Sequence, residues 1–488
     1  MKTQLRNWTL LLVVTLLAVA CSTEKKQYVN VIPADASLVA SFNMRQMIEK
    51  CALSEADTKQ LQDEIGKAIK NEMAGNDVDL INKIMANPSE SGIDWRENLY
   101  VFAMPGGNIT GIVVAVSDKS KLEEAMNVLV SQNACKPFKD GAGFSYTTVE
   151  EQSLIAYNET TLLVLLSQVS GEVETLESKA DEWLNASENT YAETESFKKL
   201  VEIGGDIALI ASTDILPQQY LSMVKMSLPE QIDLKNIKSA VAVRFEQGKM
   251  IMDAENFYTD KTVESMVKEQ MKIYAGKVDD TFMEKYPNDA MLWMGINLNG
   301  KELYTYLLNN NVLGEKLKSG SLPIDVEKMV SAIDGQVALG IGSDASIPSI
   351  GLYAEVNNDD FLQDLSQWKP ILDLQKISYG VEDGVFYLTN QKEVSADNNL
   401  KKAPWAREAD GKLFFMMIDF RSWGGLLASQ TRGVEGAVIK MLSEYIDYVT
   451  VSADDATHSS LTFIMRDKEK NVLEQWVNAV KKMNGMNE

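Results

Sequence analysis

The only histidine of the chain, His458, lies in the stretch with the richest set of reactive side chains. It stands between the pair Asp454 and Asp455 and the pair Ser459 and Ser460, so a nucleophile, a base and an acid occur within one short segment. Nucleophilic catalysis requires these groups to converge in a pocket, with the acid orienting the base. The same residue types are also typical of a polar turn between two strands. We expect a solvated turn here, and we predict no catalytic residue and no enzymatic activity.

The sequence is poor in residues that bind transition metals. It contains one His and three Cys, whereas zinc sites usually use several of these ligands. The acidic cluster 357–360 lacks the Asp-x-Asp-x-Asp-Gly order of a calcium loop, and we interpret it as the start of a helix. No glycine-rich phosphate loop that ends in Lys and then Ser or Thr is present. We therefore predict neither a metal site nor a cofactor.

Cys21 follows a segment that has the order of a secretory signal peptide. Lys2 and Arg6 precede the apolar run Trp8–Ala20, which is shorter than the ~20 residues that a membrane-spanning helix needs. Small residues before a cysteine are typical of a bacterial lipobox, in which that cysteine becomes the acylated first residue. We predict a signal peptide at 1–20 and a lipidated Cys21 with a tether at 21–27. A secreted protein with an unmodified Cys21 is the alternative.

The net charge of −23 limits the partners of the chain. Nucleic-acid binding would require a concentrated basic stripe to overcome repulsion from phosphates, and the sequence shows none. We expect contact with a membrane through the lipid on Cys21, and possible partners are other envelope proteins or glycans. Cys51 and Cys135 remain after Cys21 is assigned. They either form a disulfide, which an envelope compartment permits, or stay free.

The organisation of the body is indicated by an internal repeat. The segment 33–44 matches the segment 287–298 at a Pro, an Asp, an Ala, a Leu and an Asn. Weaker copies run through 209–215 and 414–420. Each copy is an apolar, strand-like run that ends in a residue suited to the N-cap of a helix, and these residues are Asn43, Asp214, Asn297 and Asp419.

A predicted hairpin and a capped helix follow each copy. The hairpins pair 99–104 with 110–116, 240–246 with 249–255, 336–341 with 349–356, and 448–453 with 459–466. Asp118 and Asp260 are predicted caps of the first two helices. The pattern predicts an α+β fold of four related β-α-β-β-α units, with antiparallel sheets and helices packed on one face. Two similar halves would span 28–280 and 281–488.

These features resemble a family of large, uncharacterised envelope lipoproteins of Bacteroidetes-type gut bacteria, which is classed as a domain of unknown function. The resemblance rests on Cys21 behind its apolar leader and on the segment 28–36. It covers essentially the whole mature chain. It implies a location and an architecture, but no activity and no catalytic residues.

Trp405 is the one candidate ligand-binding residue in the sequence. It lies outside any periodic apolar pattern, and a tryptophan in a loop can stack on a sugar or fill a partner's pocket. The alternative, which we expect, is that Trp405 folds back onto its own domain. Trp293 and Trp423 belong to the repeated strand-helix corners and are predicted core residues.

The leading hypothesis is a lipid-anchored cell-envelope protein that acts by binding or scaffolding and is not an enzyme. A second hypothesis is a glycan- or peptide-binding lipoprotein in nutrient capture, with solvent-facing aromatic residues in a concave site. A third is a hydrolase with two carboxylates within ~5–10 Å, of which at least one has a raised pKa. We expect an outer-membrane location, and the sequence leaves open whether the body faces the periplasm or the surface.

Overall fold

A computed structural model describes residues 27–60, 62–63, 76–216, 221, 233–309, 313–318, 325–342, 349–423, 431 and 434–483. The predicted signal peptide and Cys21 lie outside these residues. The protein is a mixed helix-and-sheet fold whose strands pair antiparallel, as predicted.

Eighteen strands lie in the described residues. In chain order they are β1 (Leu38–Phe42), β2 (Leu99–Ala103), β3 (Ile109–Ala115), β4 (Lys139–Asp140), β5 (Ser145–Val149), β6 (Ser153–Tyr157), β7 (Thr161–Ser167), β8 (Ile207–Ser212), β9 (Ile237–Glu246), β10 (Lys249–Tyr258), β11 (Ala290–Asn299), β12 (Ile333–Gly342), β13 (Ser349–Val356), β14 (Ser378–Glu382), β15 (Val385–Thr389), β16 (Phe414–Asp419), β17 (Ile446–Ala453) and β18 (His458–Met465).

The α-helices with described bounds are α1 (Met44–Cys51), α2 (Asn76–Ala86), α3 (Lys119–Ser131), α4 (Val173–Leu184), α5 (Glu195–Ile203), α6 (Lys261–Gln270), α7 (Gly300–Leu308), α8 (Leu313–Lys318), α9 (Val326–Ser331), α10 (Leu362–Leu365), α11 (Lys369–Leu374), α12 (Ala406–Ala409), α13 (Val434–Tyr445) and α14 (Val472–Met483). Short 3-10 helices span Gln27–Val31, Pro88–Ser91, Tyr191–Glu193, Thr213–Ile215, Leu234–Asn236, Met271–Ile273, Met283–Lys285, Ser366–Trp368 and Leu400–Lys402.

The chain divides into two compact units. The first takes its described residues from 1–215, 240–245 and 471–488, and the second from 216–239 and 246–470. This division differs from the predicted boundary at 280, which falls inside the second unit. The reason is packing between residues far apart in sequence: the ring of Trp476 in α14 lies 5.5 Å from that of Phe245, centroid to centroid.

In the first unit the strand order is β8-β1-β2-β3-β7-β6-β5-β4. The central position of β1 buries Val39, which has no exposed surface. Phe102 of β2 is likewise fully buried, and its ring packs edge-on against Trp183 of α4 at 5.5 Å.

Asp206, directly before β8, is the charged anchor of this unit. Its side chain is 0% exposed and accepts two hydrogen bonds from Lys50 Nζ at 2.6 and 2.7 Å. It also accepts one from the backbone N–H of Phe245 at 2.7 Å. One carboxylate therefore joins α1, β8 and β9.

In the second unit the strand order is β10-β18-β17-β16-β11-β12-β13-β15-β14. One buried cluster packs the segments around 278–286 and 400–409 against β11, β12 and β16. Within it, the Tyr286 hydroxyl donates a hydrogen bond to the Ala338 carbonyl at 2.8 Å. The predicted hairpins at β2–β3, β12–β13 and β17–β18 are confirmed.

The predicted helix caps are partly confirmed. Asn43 accepts a hydrogen bond from the N–H of Gln46, and Asp118 and Asp260 cap α3 and α6 in the same way. Each cap satisfies an N–H group that the first helical turn leaves without an intrahelical partner.

Two of the predicted caps are wrong. Strand β11 continues through Asn297 to Asn299, and Asn299 caps α7. Asp214 lies inside the 3-10 helix Thr213–Ile215 and does not precede it. Because Asn and Asp also suit strand ends and turns, the residue type alone does not fix the helix start. Asp419, the fourth predicted cap, accepts hydrogen bonds from the N–H of Arg421 and the hydroxyl of Ser422.

Candidate functional site

A polar cavity of about 240 Å³ lies in the first unit, where the 3-10 helix Pro88–Ser91 approaches the start of α3. Its wall contains both carboxylates and cations, two serines and the indole of Trp95. The lining residues are Ser89, Ile93, Asp94, Trp95, Arg96, Ser117, Asp118 and Lys121.

Gly92 sets the shape of the cavity. Its φ of +77° is a left-handed conformation, and a Cβ placed on it would lie 2.3 Å from the Asp118 carbonyl oxygen and 2.4 Å from the Leu122 nitrogen. The Gly92 carbonyl accepts hydrogen bonds from the N–H groups of Ser117 and Asp118 at 2.8 and 3.1 Å. Only glycine permits this close backbone approach, so Gly92 holds the loop against the helix.

Arg96 and Asp94 form a two-pronged ion pair in the wall. Arg96 Nε lies 2.7 Å from Asp94 Oδ1, and Arg96 Nη2 lies 2.6 Å from Oδ2. The hydrogen bond from Arg96 lowers the pKa of Asp94 below its ordinary value. The fork geometry orders both side chains more strongly than a single contact would.

Lys121 forms the second ion pair. Its Nζ lies 2.9 Å from Glu90 Oε1, which raises the pKa of Lys121. The same residue donates its backbone N–H to Asp118, the N-cap of α3, at 3.2 Å. Both cations that line the cavity, Arg96 and Lys121, therefore already form ion pairs with carboxylates.

The Trp95 indole is held by its nitrogen. Trp95 Nε1 donates to the Pro88 carbonyl and to Ser91 Oγ, each at 3.2 Å, and Ser91 Oγ donates to the same carbonyl at 2.7 Å. Ser91 and Pro88 are buried. These bonds fix one edge of the indole, so that Trp95 is a rigid, partly apolar part of the wall.

The side chains around this cavity can form hydrogen bonds to a small ligand and pack against it. Carboxylates accept and cations donate hydrogen bonds around a small space, and an aromatic residue adds an apolar surface. Within the described ranges, no group of three or more His, Cys, Asp or Glu residues is arranged to hold a metal ion.

A second hollow of about 520 Å³ lies between α2 and α3. Asp77 is held there by Ser131 Oγ at 2.5 Å and by Gln132 Nε2 at 2.9 Å. Its other acids are Asp79 and Glu124. This is an acidic groove whose central carboxylate is already bound by its neighbours.

Asp454 and Asp455 lie in the exposed connection between β17 and β18, where a solvated turn was expected. His458, which is exposed, and the two serines after it begin β18 and are not part of the turn. His458 Nδ1 is 3.0 Å from Asp455 Oδ2, and Nε2 is 3.6 Å from Glu255 Oε2. Partial burial opposes ionisation of Asp455, but hydrogen bonds from Thr457 and His458 outweigh it and lower the pKa of Asp455. Ser460 Oγ donates to Asp253 at 2.5 Å, so the serine is paired with a different acid.

Trp405 is a core residue, and the structure corrects its candidacy as a ligand-stacking residue. It is 3% exposed, and its ring stacks on Phe415 at 5.6 Å and lies 5.6 Å from Trp293. This burial leaves almost no ring surface for a ligand. Trp293 is fully buried, as predicted. Trp423 is half-buried and donates its indole N–H to the Met291 carbonyl at 3.1 Å.

Both described cysteines are free thiols. Cys51 and Cys135 are half-buried, and burial raises the pKa of each. Of the two alternatives, the structure therefore has the free thiols and not the disulfide.

Glu408 has a raised pKa, a feature that the hydrolase hypothesis requires. Desolvation raises the pKa of this carboxyl, and the charges of Lys249 and Lys412 oppose the shift. Tyr448, whose pKa is raised to about 12 by burial and then by Glu408 and Asp447, lies beside it. The charges that act on Glu408 are those of Lys249 and Lys412, and Lys412 also forms an ion pair with Asp454 at 2.5 Å.

The cavity is not evident from sequence patterns. The short run from Gly92 to Arg96 carries a partial signal, because glycine is typical of a loop and Asp94 and Arg96 are close enough in sequence to pair. The participation of Glu90 and Lys121 follows only from the fold.

The chain is a mixed helix-and-sheet protein with antiparallel strands and a small polar cavity. The chain belongs to the family described as Domain of unknown function (DUF4836), whose model matches residues 28–473. The expected membership in an uncharacterised family is therefore confirmed. No curated protein matches the chain.

Among solved structures, the chain is similar to TP0453 in several crystal forms. The match to crystal form IV has 10% sequence identity and a TM-score of 0.27, and it covers 46% of this chain and 79% of the TP0453 chain. The match to crystal form I also has 10% sequence identity, with a TM-score of 0.20, and it covers 75% of this chain and 92% of the TP0453 chain. So slight a likeness carries no argument about function.

In the part of the chain that the structure describes, no helix is long and apolar enough to cross a membrane.

Proposed function

We propose that this protein is a lipid-anchored cell-envelope protein of the Bacteroidetes lipoprotein type, which acts by binding or scaffolding and not by catalysis. The observation that carries the proposal is Cys21 at the end of a basic and then apolar leader. Acylation of this sulfur would attach a body that carries its own folded core. More than one acyl chain makes such an anchor stable, at ~0.8 kcal/mol per buried methylene.

The start of the fold supports a body held close to its membrane. Tyr28 is 4% exposed and Val29 is fully buried. The Tyr28 hydroxyl donates to the Asn98 carbonyl at 2.9 Å, and burial raises the pKa of Tyr28 well above its ordinary value. Packing therefore begins a few residues after Cys21, and a flexible tether of that length spans only ~12–15 Å.

The anchor is tested by replacing its sulfur. Cys21→Ser should abolish incorporation of an alkyne-labelled fatty acid and release the protein from the membrane fraction. Cys135→Ser is the matched control, because it also removes one thiol but leaves the leader intact. Intact-mass analysis of the wild type should give a chain that begins at Cys21 and carries acyl groups. An unmodified thiol, or retention of residues 1–20, would contradict the anchor.

The scaffolding role is tested in intact cells. Crosslinking followed by mass spectrometry should recover reproducible envelope-protein neighbours of the wild type, and these crosslinks should be lost in the Cys21→Ser variant. Crosslinks that persist without the anchor, or the recovery of no protein neighbour, would count against scaffolding. A glycan- or peptide-binding role is the second candidate, which the polar cavity favours.

We further propose that the chain is built from four related β-α-β-β-α units in two halves. Strand β1 lies between β8 and β2, and β11 lies in the same way between β16 and β12. The prolines of the matched sequence segments also correspond: Pro33 bridges Thr190, and Pro287 bridges Asn399.

The hydrogen bonds next to these bridges correspond as well. The N–H of Tyr191 donates to the Ile32 carbonyl at 2.7 Å, and the N–H of Leu400 donates to the Tyr286 carbonyl at 3.1 Å. In an experimental structure, 38–115 should superpose on 290–356 strand for strand. A different strand order in the two segments would contradict the repeat.

A further inference from the structure

We propose that the cavity beside Gly92 is a binding site for a neutral, hydroxyl-rich ring, of the size of one hexose unit. This inference specifies the binding role proposed above, but it does not depend on the lipid anchor, because binding is measured on the purified chain whether or not Cys21 is acylated.

The size of the cavity limits the ligand to one ring. Its volume of about 240 Å³ is below the ~300–1,000 Å³ that is typical of sites for drug-sized ligands. A single six-membered ring is therefore a better match than a peptide or an extended cofactor.

The charges of the wall select a neutral ligand. Arg96 is paired with Asp94, and Lys121 is paired with Glu90. An anionic ligand would meet the carboxylates of Asp94 and Asp118 in the wall, whereas a cationic ligand would meet the guanidinium and the ammonium. A hydroxyl group donates and accepts, so each hydroxyl of a neutral polyol can donate to a carboxylate and accept from a cation.

The apolar part of the wall fits the carbon face of a sugar ring. Trp95 lines the cavity, and its indole nitrogen is already bound to Pro88 and Ser91. The indole therefore offers carbon surface to a ligand. Amphipathic aromatic side chains of this kind suit ligands that have one apolar face and polar edges.

The test uses the full chain purified in a zwitterionic detergent without a sugar headgroup, because a glycosidic detergent would compete for the site. Glucose, galactose and mannose are the neutral probes, and glucuronic acid and glucosamine are the charged ones. Saturation-transfer NMR detects binding, and calorimetry measures it. A ligand with about a dozen non-hydrogen atoms and ordinary efficiency binds with a Kd near the millimolar range.

Two tyrosine substitutions form a matched pair. Ser89 lines the cavity, is exposed, and uses only its backbone in the hydrogen bonds of the loop. Ser89→Tyr should fill the space and weaken hexose binding at least about tenfold. Ser120→Tyr places the same side chain on an exposed position of α3 outside the lining and should leave binding unchanged. If circular dichroism shows that Ser89→Tyr does not fold, Lys121→Met is used in its place. It removes a hydrogen-bond donor from the wall and should also weaken hexose binding.

The proposal requires that a neutral hexose binds and that Ser89→Tyr or Lys121→Met weakens it. It is overturned if no neutral hexose binds at concentrations about tenfold above the expected millimolar Kd. It is also overturned if only glucuronic acid or glucosamine binds, or if the cavity variants bind like Ser120→Tyr. Failure of the lipid-anchor test leaves each of these outcomes unchanged.

Discussion

Replacement of Asp206 by asparagine removes the charge from a carboxylate that is completely buried in the first unit. Asp206→Asn preserves the shape of the side chain but replaces one acceptor oxygen by an NH₂ donor. In the native unit both oxygens accept hydrogen bonds, from Lys50 Nζ and from the N–H of Phe245. The amide can serve only one of these donors.

The size of the effect follows from what each donor can do afterwards. Removal of one partner of a buried ion pair costs about 3–5 kcal/mol. Lys50 has 31% of its side chain exposed, so it can turn toward water and recover part of that cost. The N–H of Phe245 is buried, and a buried donor left unsatisfied costs about 1–3 kcal/mol. We expect a loss of about 3 kcal/mol in the free energy of unfolding.

Urea denaturation followed by circular dichroism measures this loss, and a thermal scan should show a decrease of about 6–12 °C for a unit of this size. Glu195→Gln is the matched control. It also removes one carboxylate from an ion pair, with Lys198 at 2.6 Å, but the two side chains are 67% and 86% exposed. The control should cost less than about 1 kcal/mol.

A loss below about 1 kcal/mol for Asp206→Asn, or equal losses for the two variants, would refute this reasoning. Such a result would mean that solvent reaches Asp206 in the native state. The urea m-value should stay unchanged, since a changed m-value reports a different denatured or native state and not the loss of the pair.

Three further predictions concern pH and backbone strain. The hydrogen bond from Lys481 lowers the pKa of Asp57 to about 2, so this pair stabilises the first unit fully above pH ~4 and loses its effect as the pH falls to 2. Asp57→Asn should reduce the fall of the urea midpoint between pH ~4 and pH 2. The same fall in the variant and the wild type would contradict this. Burial raises the pKa of Glu408, so its ionised form costs stability at neutral pH. Glu408→Gln should raise the urea midpoint at pH 7 and have no effect below pH ~4; a lower midpoint at pH 7 would contradict it. Gly92→Ala places a Cβ in a left-handed position and against the Asp118 carbonyl, which should cost about 2–4 kcal/mol in a urea titration. A loss under about 1 kcal/mol would show that the loop can move away.

Sequence patterns predicted what is decided locally. Asn43, Asp118 and Asp260 cap their helices through N–H groups two or three residues away. The hairpins join strands that are neighbours in sequence, so the turn residues and the apolar runs contain most of the information. Asn297 failed as a cap because the strand continues by two residues, which neither side-chain type nor spacing determines.

Long-range packing accounts for what the sequence could not reveal. Strand β8 lies beside β1, although more than 150 residues separate them in the chain. Trp405 has no periodic neighbours, yet it is enclosed by Trp293 and Phe415. In the cavity, the pair Asp94 and Arg96 is local, but Lys121 joins them only because Gly92 lets two backbones approach closely.

The position of α14 has a consequence for biosynthesis. This helix ends the described chain but belongs to the first unit, where Asn471 Nδ2 donates to the Phe245 carbonyl at 2.9 Å and Lys481 pairs with Asp57 at 2.5 Å. A ribosome therefore supplies this helix of the first unit only after it has made residues 246–470 of the second unit. A product that terminates before residue 471 lacks α14 and leaves the ring of Phe245 without its contact to Trp476. The first unit is therefore completed only after most of the second unit has been synthesised.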